Sequence, residues 1–235
     1  MARKQPKTAD SLPLVAIDLG SDSVRAMAAR RIAPDLFEIL GVEERAHKQG
    51  NICIENGVIT QSSSAGYVIA EVLKLLANRI GVDELPTAFV SIGGHSMQIA
   101  AVHSRRDQAR KKEISQQLLD DMELECKHKI ELRNTEVAVL GLVPSYFVLD
   151  GQEQDEIPNS MQRAMLVEAH YTAFCGRKVL DTQLQKAFSQ AARSIEHAFV
   201  RPEALLSVFA TCDGNHVLMD GCAVLDLGAQ TTSLA

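Results

Sequence analysis

Two stretches near opposite ends of the chain share one pattern. Leu14-Val15-Ala16-Ile17-Asp18-Leu19-Gly20-Ser21-Asp22-Ser23 and Ala223-Val224-Leu225-Asp226-Leu227-Gly228-Ala229-Gln230-Thr231-Thr232 each run from apolar residues through Asp-Leu-Gly into small hydroxyl side chains. An apolar run rich in β-branched residues reads as a buried strand. A glycine directly behind it permits a tight turn with positive φ. In such a turn, backbone N–H groups and Ser/Thr hydroxyls converge on one phosphate. An Asp at the strand end holds Mg²⁺ through water, because Mg²⁺ dehydrates reluctantly. The expected phosphate-binding residues are therefore Asp18, Gly20, Ser21 and Ser23 in the first turn and Asp226, Gly228, Thr231 and Thr232 in the second. Asp18 and Asp226 are the expected Mg²⁺ groups. Each turn alone reads more readily as an ordinary hairpin chosen for turn chemistry. Facing each other, the two would clamp a nucleotide's phosphates from both sides.

Between the two turns the periodicity predicts alternating strands and helices. Leu14–Leu19, Ser23–Arg30 and Leu36–Val42 read as a three-stranded meander. Ser62–Arg79 reads as a helix, with Tyr67, Ile69, Val72, Leu73, Leu75 and Leu76 on one stripe, a serine at its start and Gly81 at its end. Thr87–Ile92 is the next strand. Gln98–His103 reads as a short strand and Arg105–Lys112 as a solvated, charge-rich link. Ile114–Lys129 reads as a helix, followed by strands at Glu136–Val143, Tyr146–Leu149 and Met165–Thr172 with a turn at Asp150-Gly151. Val179–Val200 is expected as one long helix with Leu180, Leu184, Ala187, Phe188, Ala191 and Ile195 buried, and Glu203–Phe209 as a shorter one behind Pro202. Asp213-Gly214-Asn215 is a turn, and Met1–Ser11 reads as a disordered arm with little to bury.

Composition excludes several function classes. The chain has 235 residues, 46% of them hydrophobic, enough for one large domain or two small ones. A net charge of −6, 4% aromatic residues and no Trp argue against a nucleic-acid-binding surface. The cysteines, Cys53, Cys126, Cys175, Cys212 and Cys222, form no Cys-x-x-Cys pair and are odd in number, so free thiols in a reducing cytoplasm are expected. No signal peptide or bilayer-spanning stretch is legible. His95 and His103 lack a third ligand at metal-site spacing and read as packing or surface residues. No nucleophile elbow or zincin motif occurs.

The two Asp-Leu-Gly elements resemble the phosphate loops of the actin, sugar-kinase and chaperone ATPase superfamily. Phe89-Val90-Ser91-Ile92-Gly93-Gly94-His95 and Val143-Pro144-Ser145-Tyr146-Phe147-Val148-Leu149-Asp150-Gly151 are similar, within it, to landmarks of the bacterial cell-division actin FtsA. The resemblance implies an α/β fold, an actin/ribonuclease-H-like mixed sheet with flanking helices plus a small inserted α+β subdomain. It implies a core subdomain at 12–92 and 173–221, an insertion at 93–172 and the start of a second lobe at 222–235. It also implies ATP and Mg²⁺ as ligands, at most weak ATPase activity, self-association, and FtsZ and other divisome proteins as partners. The expected location is the cytoplasm, at the inner face of the cytoplasmic membrane. In that family the FtsZ contact and adenine loop lie in the second lobe, and the membrane helix lies at the far C-terminus. This chain is therefore expected to bind nucleotide poorly and to reach no membrane by that route. Ala229 and Gln230 replace two glycines of the family's second loop, and Ser233 replaces its final Asp. A pilus-assembly actin of the PilM type, whose partner is a short peptide of a membrane protein, is the alternative; a kinase or chaperone-like ATPase is a third.

Overall fold

The structure is a computed structural model and describes residues 12–33, 36–47, 52–94, 97–210 and 223–234. Met1–Ser11, His95, Cys212, Asp213-Gly214-Asn215 and Cys222 lie outside the described residues. In chain order the elements are β1 (Leu14–Leu19), β2 (Ser23–Ala33), β3 (Leu36–Ala46), β4 (Ile54–Glu55), β5 (Val58–Ile59), α1 (Ser62–Ile80), β6 (Ala88–Ile92) and β7 (Gln98–Glu113). They continue with α2 (Gln116–Arg133), β8 (Val137–Leu149), β9 (Gln152–Gln154), β10 (Arg163–Arg177), α3 (Lys178–Gln190), β11 (Ile195–Val200), α4 (Arg201–Ala210), β12 (Leu225–Leu227) and β13 (Thr232–Leu234). Two compact units result: Met1–His95 with Thr182–Ala235, and Ser96–Asp181.

The first unit is built on a five-stranded mixed sheet in the order β11-β6-β1-β2-β3. β1, β6 and β11 are parallel, whereas β1-β2-β3 is the antiparallel meander. Along β1 the burial alternates, with Val15, Ile17 and Leu19 in the core and Ala16 and Asp18 on the other face. Val15, Ile17 and Leu19 pack with Ile69, Val72, Leu73 and Leu76 of α1 and Leu184, Ala187 and Phe188 of α3. At Gly66 those helices are in close contact: a Cβ there would lie 2.6 Å from the Ala187 carbonyl oxygen. The residue in the cap position of α1 is Gln61, whose side chain makes no capping bond, instead of one of the serines. It ends at Gly81, with φ of 70° and its N–H turned back to the last carbonyls.

The second unit is a four-stranded sheet, β7-β10-β8-β9, with α2 on one face. Ile114, Leu119, Met122 and Cys126 pack on Phe147, Val167, Ala169 and Tyr171. Ser115 caps α2, its hydroxyl accepting from the Leu118 N–H at 3.2 Å. The expected link at Arg105–Lys112 is instead the second half of β7. Pairing with β10 from Cys175↔Gln98 to Arg163↔Glu113 supplies the backbone partners, and the charges find partners outside: Arg105 on Glu168, Arg106 on Glu125, Lys111 on Asp150. Likewise Glu136–Val143 and Tyr146–Leu149 are one strand, with Pro144 absorbed at an irregularity opposite His170/Tyr171. β10 carries its ladder to Arg177, so residues 173–177 belong to this sheet. His103 stacks on His170 at 5.3 Å and His170 on Tyr146 at 4.2 Å.

The largest departure from expectation is at 179–200. The single helix is α3 followed by β11, broken where Ala192 takes φ of 52°. Leu184, Ala187 and Phe188 are buried as the helical stripe requires. Ile195 to Val200 instead pair in parallel with β6, from Ile195↔Ala88 to Val200↔Ile92. A parallel partner at the sheet edge outweighs a helical periodicity that is no stronger for these residues than a strand pattern.

Candidate functional site

The carboxyl ends of β1, β6 and β11 come out on one edge because the three strands are parallel. The register aligns Asp18 with Ser91 and Ser91 with Phe199, so the chain leaves β11 beside Asp18. Ligand sites of open α/β sheets form at such edges. There a cleft of 430 Å³ is lined from both Asp-Leu-Gly turns, among others by Asp18, Asp22, Arg25, Arg201 and Asp226. The two turns close identically: the Gly20 N–H donates to the Ser23 carbonyl at 3.0 Å, and the Gly228 N–H to the Thr231 carbonyl at 2.9 Å.

Neither glycine has positive φ, contrary to expectation. They are required for space instead, since a Cβ would lie 2.7 Å from the Ser23 oxygen and 2.9 Å from the Thr231 oxygen. Ser21 accepts a hydrogen bond from the Gly57 N–H at 3.0 Å. Ser23 is 1% exposed and its hydroxyl donates to Glu44. That bond, with Arg25 beside it, holds the Glu44 carboxyl below the usual range. Thr231 lines the cleft. Thr232 does not; it pairs with Leu227 in the β12–β13 hairpin.

Three residues outside the expected phosphate-binding set join these parts. Arg201, the first residue of α4, reaches Asp18 with Nη2 at 2.9 Å and lies 3.9 Å from Asp226 through Nη1. Its side chain is only 13% exposed. Asn56, at the β4–β5 turn, donates its N–H to Gln230 at 2.7 Å. His47 Nε2 sits 2.9 Å from the Gly20 carbonyl and Nδ1 3.4 Å from the buried Cys53 thiol. With a carbonyl as partner Nε2 must donate, which leaves Nδ1 to accept from the thiol. Burial pushes the Cys53 thiol up. The legible signal for Arg201 was a lone cation directly behind an apolar segment and before Pro202.

The residues present do not fit Mg·ATP. Asp18 and Asp226 already share a guanidinium, and no described group of three or more His, Cys, Asp or Glu side chains is placed to hold a metal ion. Three carboxylates against two guanidiniums line the cleft, and Arg25 is paired 2.9 Å from Glu44. A polyphosphate entering there without a metal ion meets net repulsion. The hydroxyl of Ser23 and the N–H groups of Gly20 and Gly228 donate within the protein, and Ser21 Oγ accepts from the Gly57 N–H.

A scan against protein-family models finds no match, and a search of curated proteins finds none either. Among solved structures the chain superposes on a chain of a "PilM-PilN type IV pilus biogenesis complex" with a TM-score of 0.63 and 13% identity. The fold is actin-like. The match covers 94% of this chain, hence residues of both units, and 56% of the other, so the chain spans little more than half of that relative's length. Nothing in the match points to FtsA in particular. No helix among the described residues is long and apolar enough to cross a membrane.

Proposed function

We propose that the chain is part of an actin-like adaptor of the PilM type, which works by binding a partner protein and not by turning over nucleotide. The supporting observation is the match to a PilM chain across 94% of the residues, together with a cleft in which Asp18 and Asp226 pair with Arg201. By analogy with the PilM–PilN complex, the partner is a short segment of a membrane protein. The second reading is an FtsA-type division scaffold that binds FtsZ and divisome proteins. It rests on Val143-Pro144-Ser145-Tyr146 and the Asp150-Gly151 turn, where both residues take positive φ (50° and 85°). Calorimetric titration with two ligands from the same genome separates the readings: the cytoplasmic segment of a PilN-type membrane protein, and FtsZ. The adaptor reading expects saturable binding of the first alone; binding of FtsZ alone transfers the assignment to the second.

A further inference from the structure

The sequence pattern leads one to expect a divalent metal and a phosphate chain to join the turns from the two ends of the polypeptide. Here the polypeptide does so itself. The Arg201 guanidinium lies between Asp18 of the first turn and Asp226 of the second, at 2.9 and 3.9 Å, and also donates to the Leu19 carbonyl at 3.4 Å. A guanidinium is always charged and presents several donors in one plane, so one group can serve both carboxylates and a carbonyl. A second tie runs through Gln230, which accepts from the Asn56 N–H, while Gly57 of the same β4–β5 turn donates to Ser21 of the first turn. The second turn is thus tied to the first through β4–β5. Gln230 stands where a phosphate loop needs glycine for close backbone approach, and here its side chain has a structural partner.

We propose that Arg201 is a built-in counter-cation that takes the place of a divalent metal, so that the joint between the two turns closes without metal or nucleotide. The proposal stands apart from the adaptor reading, because no partner enters it. It makes Asp18 and Asp226 structural anion partners of one arginine. Removing the guanidinium leaves two neighbouring carboxylates, with Asp22 nearby, facing one cleft, which is a divalent-cation site in composition.

The test follows the thermal midpoint of wild type, Arg201→Gln and Arg201→Lys in EDTA, in Mg²⁺ and in Mg·ATP, with Mn²⁺ binding read by water-proton relaxation. Wild type should show one midpoint in all three buffers and take up no Mn²⁺. Arg201→Gln should melt about 4–8 °C lower in EDTA, as loss of a charged hydrogen bond predicts at this length. It should recover in Mg²⁺ and bind Mn²⁺, and a further Asp226→Asn change should abolish both gains. Arg201→Lys, which keeps the charge, should fall between the two and guards against a glutamine variant that does not fold. A wild-type chain stabilised by Mg·ATP, or binding Mn²⁺ in an Asp226-dependent way, overturns the proposal. So does a folded Arg201→Gln or Arg201→Lys chain with the wild-type midpoint in EDTA. Failure of the PilN-type segment to bind leaves every one of these readings unchanged.

Discussion

Replacing Gly66 by Ala sets two opposing effects against each other. Gly66 lies inside α1, where alanine is favoured over glycine by about 1 kcal/mol on helix propensity alone. The new methyl, however, would sit 2.6 Å from the Ala187 carbonyl oxygen and 2.7 and 2.9 Å from Gln190 Cβ and Cγ. Gln190 Cβ is fixed to the backbone, and only its Cγ can turn away. The Ala187 carbonyl cannot, because it accepts the Ala191 N–H at 3.0 Å at the end of α3. Relief requires α1 and α3 to part, and forcing a methyl into a packed interface costs roughly 1–3 kcal/mol. Because three atoms lie within contact distance, the upper part of that range applies. The net expectation is a loss of about 1–2 kcal/mol, or a midpoint lowered by about 2–8 °C at this chain length. Thermal unfolding followed by far-ultraviolet circular dichroism reads it directly. Gln190→Ala removes the Cγ contact and leaves the carbonyl and Cβ contacts, so most of the loss should persist in that background. A Gly66→Ala midpoint above wild type would falsify the close approach of the two helices.

Two further outcomes follow from the second unit. Hydrogen bonds from Lys129, Arg106 and Ser104 lower the Glu125 carboxyl from 4.5 to about 2, so its contribution to stability is complete above pH 4.5 and disappears as the pH falls toward 2. The midpoint gap between wild type and Glu125→Gln should therefore be widest near neutral pH and close over that acid window; a gap independent of pH would contradict the pairing. Cys126 is fully buried and burial raises its thiol to about 11, so iodoacetamide should leave it unmodified in the native chain and label it once denatured, as read by mass spectrometry. Labelling at native conditions would place α2 off the sheet.

Much of the fold was legible because local pattern and tertiary demand agree. The alternation of Leu14–Leu19, the stripe of α1 and the Gly81 cap each state a period or a backbone need that no distant partner reverses. The two misread segments share one cause. Arg105–Lys112 carries no apolar alternation, and it is a strand only because β10 lies alongside it and supplies backbone partners. Ile195–Val200 continues the helical spacing of α3, yet β6 claims it. Hydrogen bonding to a remote segment is not written in the segment itself.

The sequence alone determined that Asp18 and Asp226 end apolar strands in similar turns, since apolar runs and a following glycine are local facts. Tertiary structure alone decided what those turns do. The parallel register of β1, β6 and β11 brings Arg201 across to Asp18, 183 residues away along the chain, and within 3.9 Å of Asp226. Whether a carboxylate faces a metal or an arginine depends on which charge stands beside it in space, and chain separation carries no trace of that distance.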